Sequence, residues 1–164
     1  MQLKNYISNL NKKYEKIFFS GISFDSSKIR KNHIFFAIKG NKFDGNNYID
    51  TAIKKGAKVI VTDKRIDNKK KNIIYLHSPN VRKLLAHVSY KIFDKKPKKL
   101  VAVTGTNGKS SIADFFFQIL NLNSKKVASI GTIGIRLKDK KQALTNTTLN
   151  PIQLGKILND LEKK

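Results

Sequence analysis

The sequence predicts an α/β fold: a small N-terminal α/β domain followed by the start of a parallel-sheet domain built around a phosphate-binding loop (P-loop). Three observations carry this expectation. Short apolar runs of strand length alternate with helix-period segments, the pattern of parallel strands joined by helices. The run Leu100-Val101-Ala102-Val103 feeds a glycine-rich turn that opens into a helix-like stretch from Ile112 to Leu120. Between the halves, Phe93-Asp94-Lys95-Lys96-Pro97-Lys98 has no apolar period and carries a proline, as a domain boundary does. Domains at residues 1–97 and 98–164 follow, the second of them incomplete.

Each element has its own local reason. Leu3, Tyr6, Ile7 and Leu10 fall at helical spacing and predict a short amphipathic helix, followed by a strand at Ile17-Phe18-Phe19. Ile22 to Ser27 reads as an alternating strand end passing into turn residues. His33 to Ile38 is an almost continuous apolar run, as expected for a strand buried on both faces. After a polar loop from Gly40, residues 47–55 present Tyr48, Ile49, Ala52 and Ile53 on one side of a helix that Gly56 stops. Lys58 to Thr62 and Ile73 to Leu76 are further strands. Ser78-Pro79 predicts a helix start with serine as cap, and Val81, Leu84, Leu85, Val88 and Ile92 follow at helical spacing. Beyond the glycine-rich turn and its helix come strands at Val127 to Ile130 and Gly131 to Leu137. Asn150-Pro151 then opens a last helix carrying Ile152, Leu154, Ile157, Leu158 and Leu161.

Composition narrows the function classes. There is no cysteine, so disulfides and thiolate metal sites are excluded. No stretch approaches the length of a membrane span, and the N-terminus lacks a signal-peptide core, so a cytoplasmic protein without membrane partners is expected. The 34 basic residues against 11 acidic give a net charge of +23. That balance favours anionic partners. A nucleic-acid role is nonetheless the remote reading. Lysine rather than arginine dominates, and the lysines are dispersed in short groups such as Lys54-Lys55, Lys69-Lys70-Lys71 and Lys140-Lys141. His33, His77 and His87 show no metal-ligand spacing. Asp44 before Gly45 reads as a turn former rather than a cation ligand.

The motif with chemistry in it is Thr104-Gly105-Thr106-Asn107-Gly108-Lys109-Ser110-Ser111. Glycines let backbone N–H groups converge on phosphate oxygens, and a helix N-terminus adds partial positive charge. Lys109 is the expected catalytic cation at the β/γ-phosphates, and the Ser110 hydroxyl is the expected ligand to Mg2+. Gly105, Thr106, Asn107, Gly108, Lys109, Ser110 and Ser111 together form the expected nucleotide cradle. The loop is the short form, G-x-x-G-K-S, with Val103 standing where the longer pattern has its first glycine.

That loop resembles the ATP-binding signature of the Mur ligases and the related folylpolyglutamate synthases. The folate enzymes carry a further glycine after the lysine, where Ser110 stands here. Phe24-Asp25-Ser26-Ser27, Ile34 to Gly40, Phe43-Asp44-Gly45-Asn46-Asn47-Tyr48-Ile49 and Ala52 to Ala57 are similar to the UDP-binding N-terminal domain of two Mur ligases. One adds the third residue to UDP-N-acetylmuramoyl-dipeptide and the other adds D-Ala-D-Ala. Ser129-Ile130-Gly131-Thr132-Ile133-Gly134, followed by Thr145-Asn146-Thr147-Thr148 and the helix from Pro151, is similar to the tripeptide-forming type. The resemblance departs at Ser27, where that family has arginine, and at Leu149-Asn150-Pro151, where it has Pro-Asp.

The resemblance implies an ATP-dependent amide ligase of peptidoglycan synthesis, and a monomer is expected. ATP would phosphorylate the terminal carboxylate of UDP-N-acetylmuramoyl-L-Ala-D-Glu, and a diamino acid would attack the acyl phosphate. That amino acid is meso-diaminopimelate or L-lysine, the first favoured by its breadth among bacteria. By motif position, Phe24 and Ser26 lie at the uridine, with Asn41, Lys42 and Phe43 beside the uracil and diphosphate. Asn146, Thr147 and Thr148 would hold the muramoyl-peptide end. The chain is expected to be the front of a longer enzyme, without turnover by itself. A non-catalytic UDP-sugar-binding module, the D-Ala-D-Ala-adding ligase and a basic nucleic-acid binder remain the alternatives.

Overall fold

The computed structural model describes residues 1–8, 10–41, 43–66, 70–138, 140–144 and 149–163. They form two compact units, Met1–Asp94 and Lys95–Lys164. Both combine helices with a sheet, and the first has the predicted parallel strands.

The first unit is built on a four-stranded parallel sheet in the order β1 (Gly21–Ser23), β2 (His33–Phe36), β3 (Ala57–Thr62), β4 (Ile74–His77). Apolar continuity explains the middle strands. Ile34, Phe35 and Phe36 on β2 and Val59, Ile60 and Val61 on β3 are all at most 1% exposed, because both faces of the sheet are covered. On one face Phe35 and Ile60 pack with Ile29, Ala37, Ala57 and the helix α1 (Ile49–Lys54) through Ile49 and Ala52. The helix α2 (Val81–Ile92) buries Val81, Leu85 and Val88 at its helical spacing and contacts β2.

Three expectations need correction here. The N-terminal segment is not an amphipathic α-helix. It forms two 3-10 turns, Leu3–Asn5 and Lys12–Tyr14. Leu3 and Ile7 are buried, but two anchors with a lysine-rich sequence after them do not sustain α-helical hydrogen bonding. Ile17 to Phe19 is not a strand of the sheet. It meets the N-terminus through Leu3 N–H to Ile17 C=O (2.8 Å) and Phe19 N–H to Met1 C=O (2.9 Å). The cap of α2 is Asn80, whose side chain accepts from Lys83 N–H at 2.8 Å. Ser78 instead extends the sheet, its N–H donating to Thr62 C=O at 2.9 Å, so Pro79 precedes the cap.

The second unit carries the helices α3 (Lys109–Leu122) and α4 (Pro151–Glu162) and a sheet of β5 (Ser129–Gly131), β6 (Gly134–Leu137) and β7 (Lys140–Gln142). These strands pair antiparallel, not parallel. Gly131 faces Gly134 across the two-residue turn Thr132-Ile133, so the predicted single strand from Gly131 is the second half of a hairpin. The run Leu100 to Val103 forms no strand among the described residues. A strand exists only with a hydrogen-bonded neighbour, and Leu100 and Val101 are 59% and 66% exposed. Helix α4 starts as expected, with Asn150 and Gln153 closing a reciprocal capping box behind Pro151. Between α3 and β6, the Arg136 guanidinium pairs with Asp114 and lies 4.6 Å from the centre of the buried Phe117 ring.

Candidate functional site

In an open parallel sheet, ligands gather where the strands' carboxyl ends point. Two expected substrate segments leave the first unit's sheet at that edge. Phe24 and Ser26 directly follow β1, and Asn41 and Phe43 lie in the loop after β2. Asp25 caps the first segment: its carboxylate accepts from the Ser27 hydroxyl at 2.7 Å and the Ser27 N–H at 2.9 Å. Those bonds, with the nearby Lys28 ammonium, hold Asp25 below its ordinary pKa. They also fix the 3-10 turn Ser26–Lys28, presenting Phe24 at 37% exposure and leaving Ser26 half-buried.

The loop after β2 folds back on itself. Gly40 N–H donates to Phe43 C=O at 2.9 Å, and Gly45 N–H donates to Ile38 C=O at 2.9 Å. Gly45 is flush with that backbone. A Cβ there would lie 2.6 Å from Ile38 N, so no larger residue closes the loop the same way. Phe43 projects with 69% of its surface exposed. Lys42, expected beside Asn41 and Phe43, lies outside the described residues, as do Asn146, Thr147 and Thr148.

Sequence reading missed the support beneath this loop. Asp44 caps the 3-10 turn Gly45–Tyr48 by accepting from Asn46 N–H (2.9 Å) and Asn46 Nδ2 (2.8 Å), and its second oxygen accepts from Lys64 Nζ at 2.7 Å. These contacts, the lysine first, hold its pKa down to about 2, while Asp44 raises that of Lys64. The Asx-Gly turn was legible from sequence. The lysine 20 positions away was not.

In the second unit the glycine-rich loop meets α3 at Gly108, which adopts φ 75°. That left-handed turn aims the chain into the helix, and no side chain caps α3 there. The first-turn N–H groups of Lys109, Ser110 and Ser111 therefore face outward with the partial positive end of the helix. No acidic residue sits in that turn. Lys109 curls back so that its ammonium donates to Gly105 C=O (2.5 Å) and Thr106 C=O (3.0 Å). The structure thus brings Gly105, Thr106, Gly108 and Lys109 together, and Asn107, Ser110 and Ser111 are exposed around them. An ammonium, a row of helix N–H groups and open space at the Gly108 α-carbon suit a polyanion.

A parallel sheet with loops exposed at its carboxyl edge, joined in sequence to a Gly-Lys-Ser loop opening a helix, is the layout of a nucleotide-using α/β protein. The family model described as Mur ligase family, catalytic domain, matches residues 18–96, and that of the Mur ligase middle domain matches residues 103–164. The chain belongs to the Mur ligase family. It is 35% identical over 156 residues to the UDP-N-acetylmuramoyl-L-alanyl-D-glutamate--2,6-diaminopimelate ligase of Fusobacterium nucleatum subsp. nucleatum, a match covering 95% of this chain and 31% of the relative. It is 37% identical over 144 residues to a protein of the same name from Clostridium tetani, covering 85% of this chain and 30% of that one. A solved structure of an enzyme so named superposes with a TM-score of 0.80 at 23% identity, covering 99% of this chain and 34% of that one, and shares the fold. The chain spans about a third of the length of the curated relatives it matches. Among the described residues, no helix is long and apolar enough to cross a membrane.

Proposed function

We propose that this chain is part of an ATP-dependent ligase of peptidoglycan precursor synthesis that joins meso-diaminopimelate to UDP-N-acetylmuramoyl-L-Ala-D-Glu. The observation that carries the reading is similarity at 35% identity along 95% of the chain to a relative named for that activity. The first unit takes the UDP end of the substrate, with Phe24 and Ser26 toward the uridine and Asn41, Lys42 and Phe43 beside the uracil and diphosphate. Asn146, Thr147 and Thr148 hold the muramoyl-peptide end. The enzyme works as a cytoplasmic monomer.

The second unit takes ATP. Its task is positioning and charge neutralisation, since phosphoryl transfer asks little covalent chemistry of the protein. The Lys109 ammonium leaves the carbonyls of Gly105 and Thr106 for the γ-phosphate oxygens, and the first N–H groups of α3 donate to the β-phosphate oxygens. The Ser110 hydroxyl, exposed in that same turn, would hold Mg2+, which supplies further neutralisation of the phosphates when bound. The substrate carboxylate oxygen attacks the γ-phosphorus and ADP leaves. The amine of the diamino acid then attacks the acyl carbon, expelling phosphate and forming the amide.

Lys109→Ala tests the reading. ATP affinity should fall about a hundredfold, the loss of a charge-assisted contact to phosphate. Binding to nucleic acid, if any, should stay as salt-dependent as before. Unchanged ATP affinity would contradict the assignment.

A further inference from the structure

The loop that carries Asn41 and Phe43 is tied to the end of β3 by a chain of side-chain hydrogen bonds. Thr62, the last residue of β3, is 2% exposed. Its hydroxyl donates to Asn46 Oδ1 at 2.6 Å and accepts from Lys64 N–H at 3.0 Å. The Asn46 amide nitrogen donates to Asp44 Oδ1 at 2.8 Å and to Asp63 Oδ1 at 3.0 Å. The Asp44 backbone closes the loop in a β-bridge with Lys39, and its second carboxylate oxygen accepts from Lys64 Nζ. Asn46 thus spends its carbonyl on the sheet and its amide on the loop base and on Asp63, so its orientation is fixed from both sides. Thr62 is fixed in turn by β4, whose extension donates Ser78 N–H to its carbonyl.

We propose that Thr62, Asn46 and Asp44 form a positioning relay that pre-sets the loop bearing Asn41 and Phe43 for the uridine diphosphate end of the substrate. The inference rests on the reading that the first unit takes that end. None of the three residues needs to touch the ligand. They act by sparing the cost of ordering an exposed, lysine-flanked loop at the moment of binding. The sheet is well packed at Thr62, and the relay runs from there through Asn46 to Asp44 at the loop base.

The test titrates the 164-residue chain with UDP and records thermal unfolding alongside. Thr62→Val keeps the branched shape and removes the hydroxyl, and UDP affinity should fall about tenfold, the worth of one organising hydrogen bond. Thr62→Ser restores the hydroxyl and should bind within about twofold of wild type. Asn46→Ala provides a second reading should Thr62→Val fold poorly, and should weaken UDP at least as much. If both act through one relay, the double variant binds no more weakly than Asn46→Ala alone. A purely structural role would lower the melting temperature of Thr62→Val and leave its UDP affinity intact, which overturns the inference. Equal losses in Thr62→Ser and Thr62→Val, or full additivity in the double variant, would overturn it as well. Absence of UDP binding by the wild-type chain would bring down the substrate reading, and this inference with it.

Discussion

The two candidate loops of this chain are held in opposite ways. The loop after β2 is anchored at its base by Gly45 against the Ile38 backbone, by Asp44 to Lys64 and by Asn46 to Thr62. The loop before α3 shows no such mooring among the described residues. Its lysine bonds to carbonyls three and four residues away, and its surroundings are exposed. The difference matches the ligands proposed for them. The uracil of the proposed uridine diphosphate ligand offers a few directional contacts and profits from a pre-set receptor. A triphosphate brings enough charge to pull an ammonium off backbone carbonyls and organise the loop around itself.

The contrast breaks most readily in the supporting core. Phe35→Ala, beneath the anchored loops at 1% exposure, should destabilise the first unit by about 3–5 kcal/mol. Phe116→Ala on α3, with 45% of its surface exposed, should change stability by no more than about 0.5 kcal/mol. Urea unfolding of the two variants gives the comparison, and equal losses would show that the second unit is as tightly held as the first.

A smaller effect is expected at Gly108. Its φ of 75° costs an L-residue about 1–2 kcal/mol, although a methyl there meets nothing within 4 Å. Gly108→Ala should therefore weaken ATP binding by roughly tenfold through backbone conformation alone. ATP titration reads this directly, and an unchanged affinity would mean that the strain at this position is the same with and without nucleotide.

The smallest effect is a pH dependence confined to the anchored loop. Asp44 titrates at about 2 in the folded chain, chiefly because of the Lys64 hydrogen bond. An unfolded aspartate titrates near ~3.9. A depressed carboxylate pKa contributes stability that is complete above the unfolded value and is lost as pH falls through the folded one. The melting temperatures of wild type and Asp44→Asn should therefore differ at neutral pH and converge between about pH 4 and pH 2. Parallel curves through that window would remove the ion pair from the account.

How much of this was legible in the sequence depended on whether the information was local. β2 and β3 were readable because burial on both faces leaves unbroken apolar runs. The Asn150-Pro151 helix start was readable because its capping box spans four residues. Ser78 and Asn80 are both good caps within three residues, and only the pairing of Ser78 with Thr62 decides between them. Leu100 to Val103 has strand composition, yet strand formation depends on a neighbour that no local pattern specifies. Gly131-Thr132-Ile133-Gly134 did carry a hairpin signal, two glycines around a two-residue turn, which the surrounding apolar run masked. At the candidate site, the Gly-Lys-Ser loop was legible as a motif. The relay through Thr62 was not, because Thr62 lies 16 positions from Asn46 and meets it only once the parallel sheet is formed.

The proposed division of labour gives the UDP end of the linked dipeptide to the first unit and ATP to the glycine-rich loop of the second. Calorimetric titration of wild type and Lys109→Ala with UDP-N-acetylmuramoyl-L-Ala-D-Glu and with ATP tests it most directly. The account predicts saturable binding of both ligands to wild type, and a variant that keeps the UDP ligand and loses ATP. Loss of both ligands in the variant, or no binding of the UDP ligand to wild type, would contradict it.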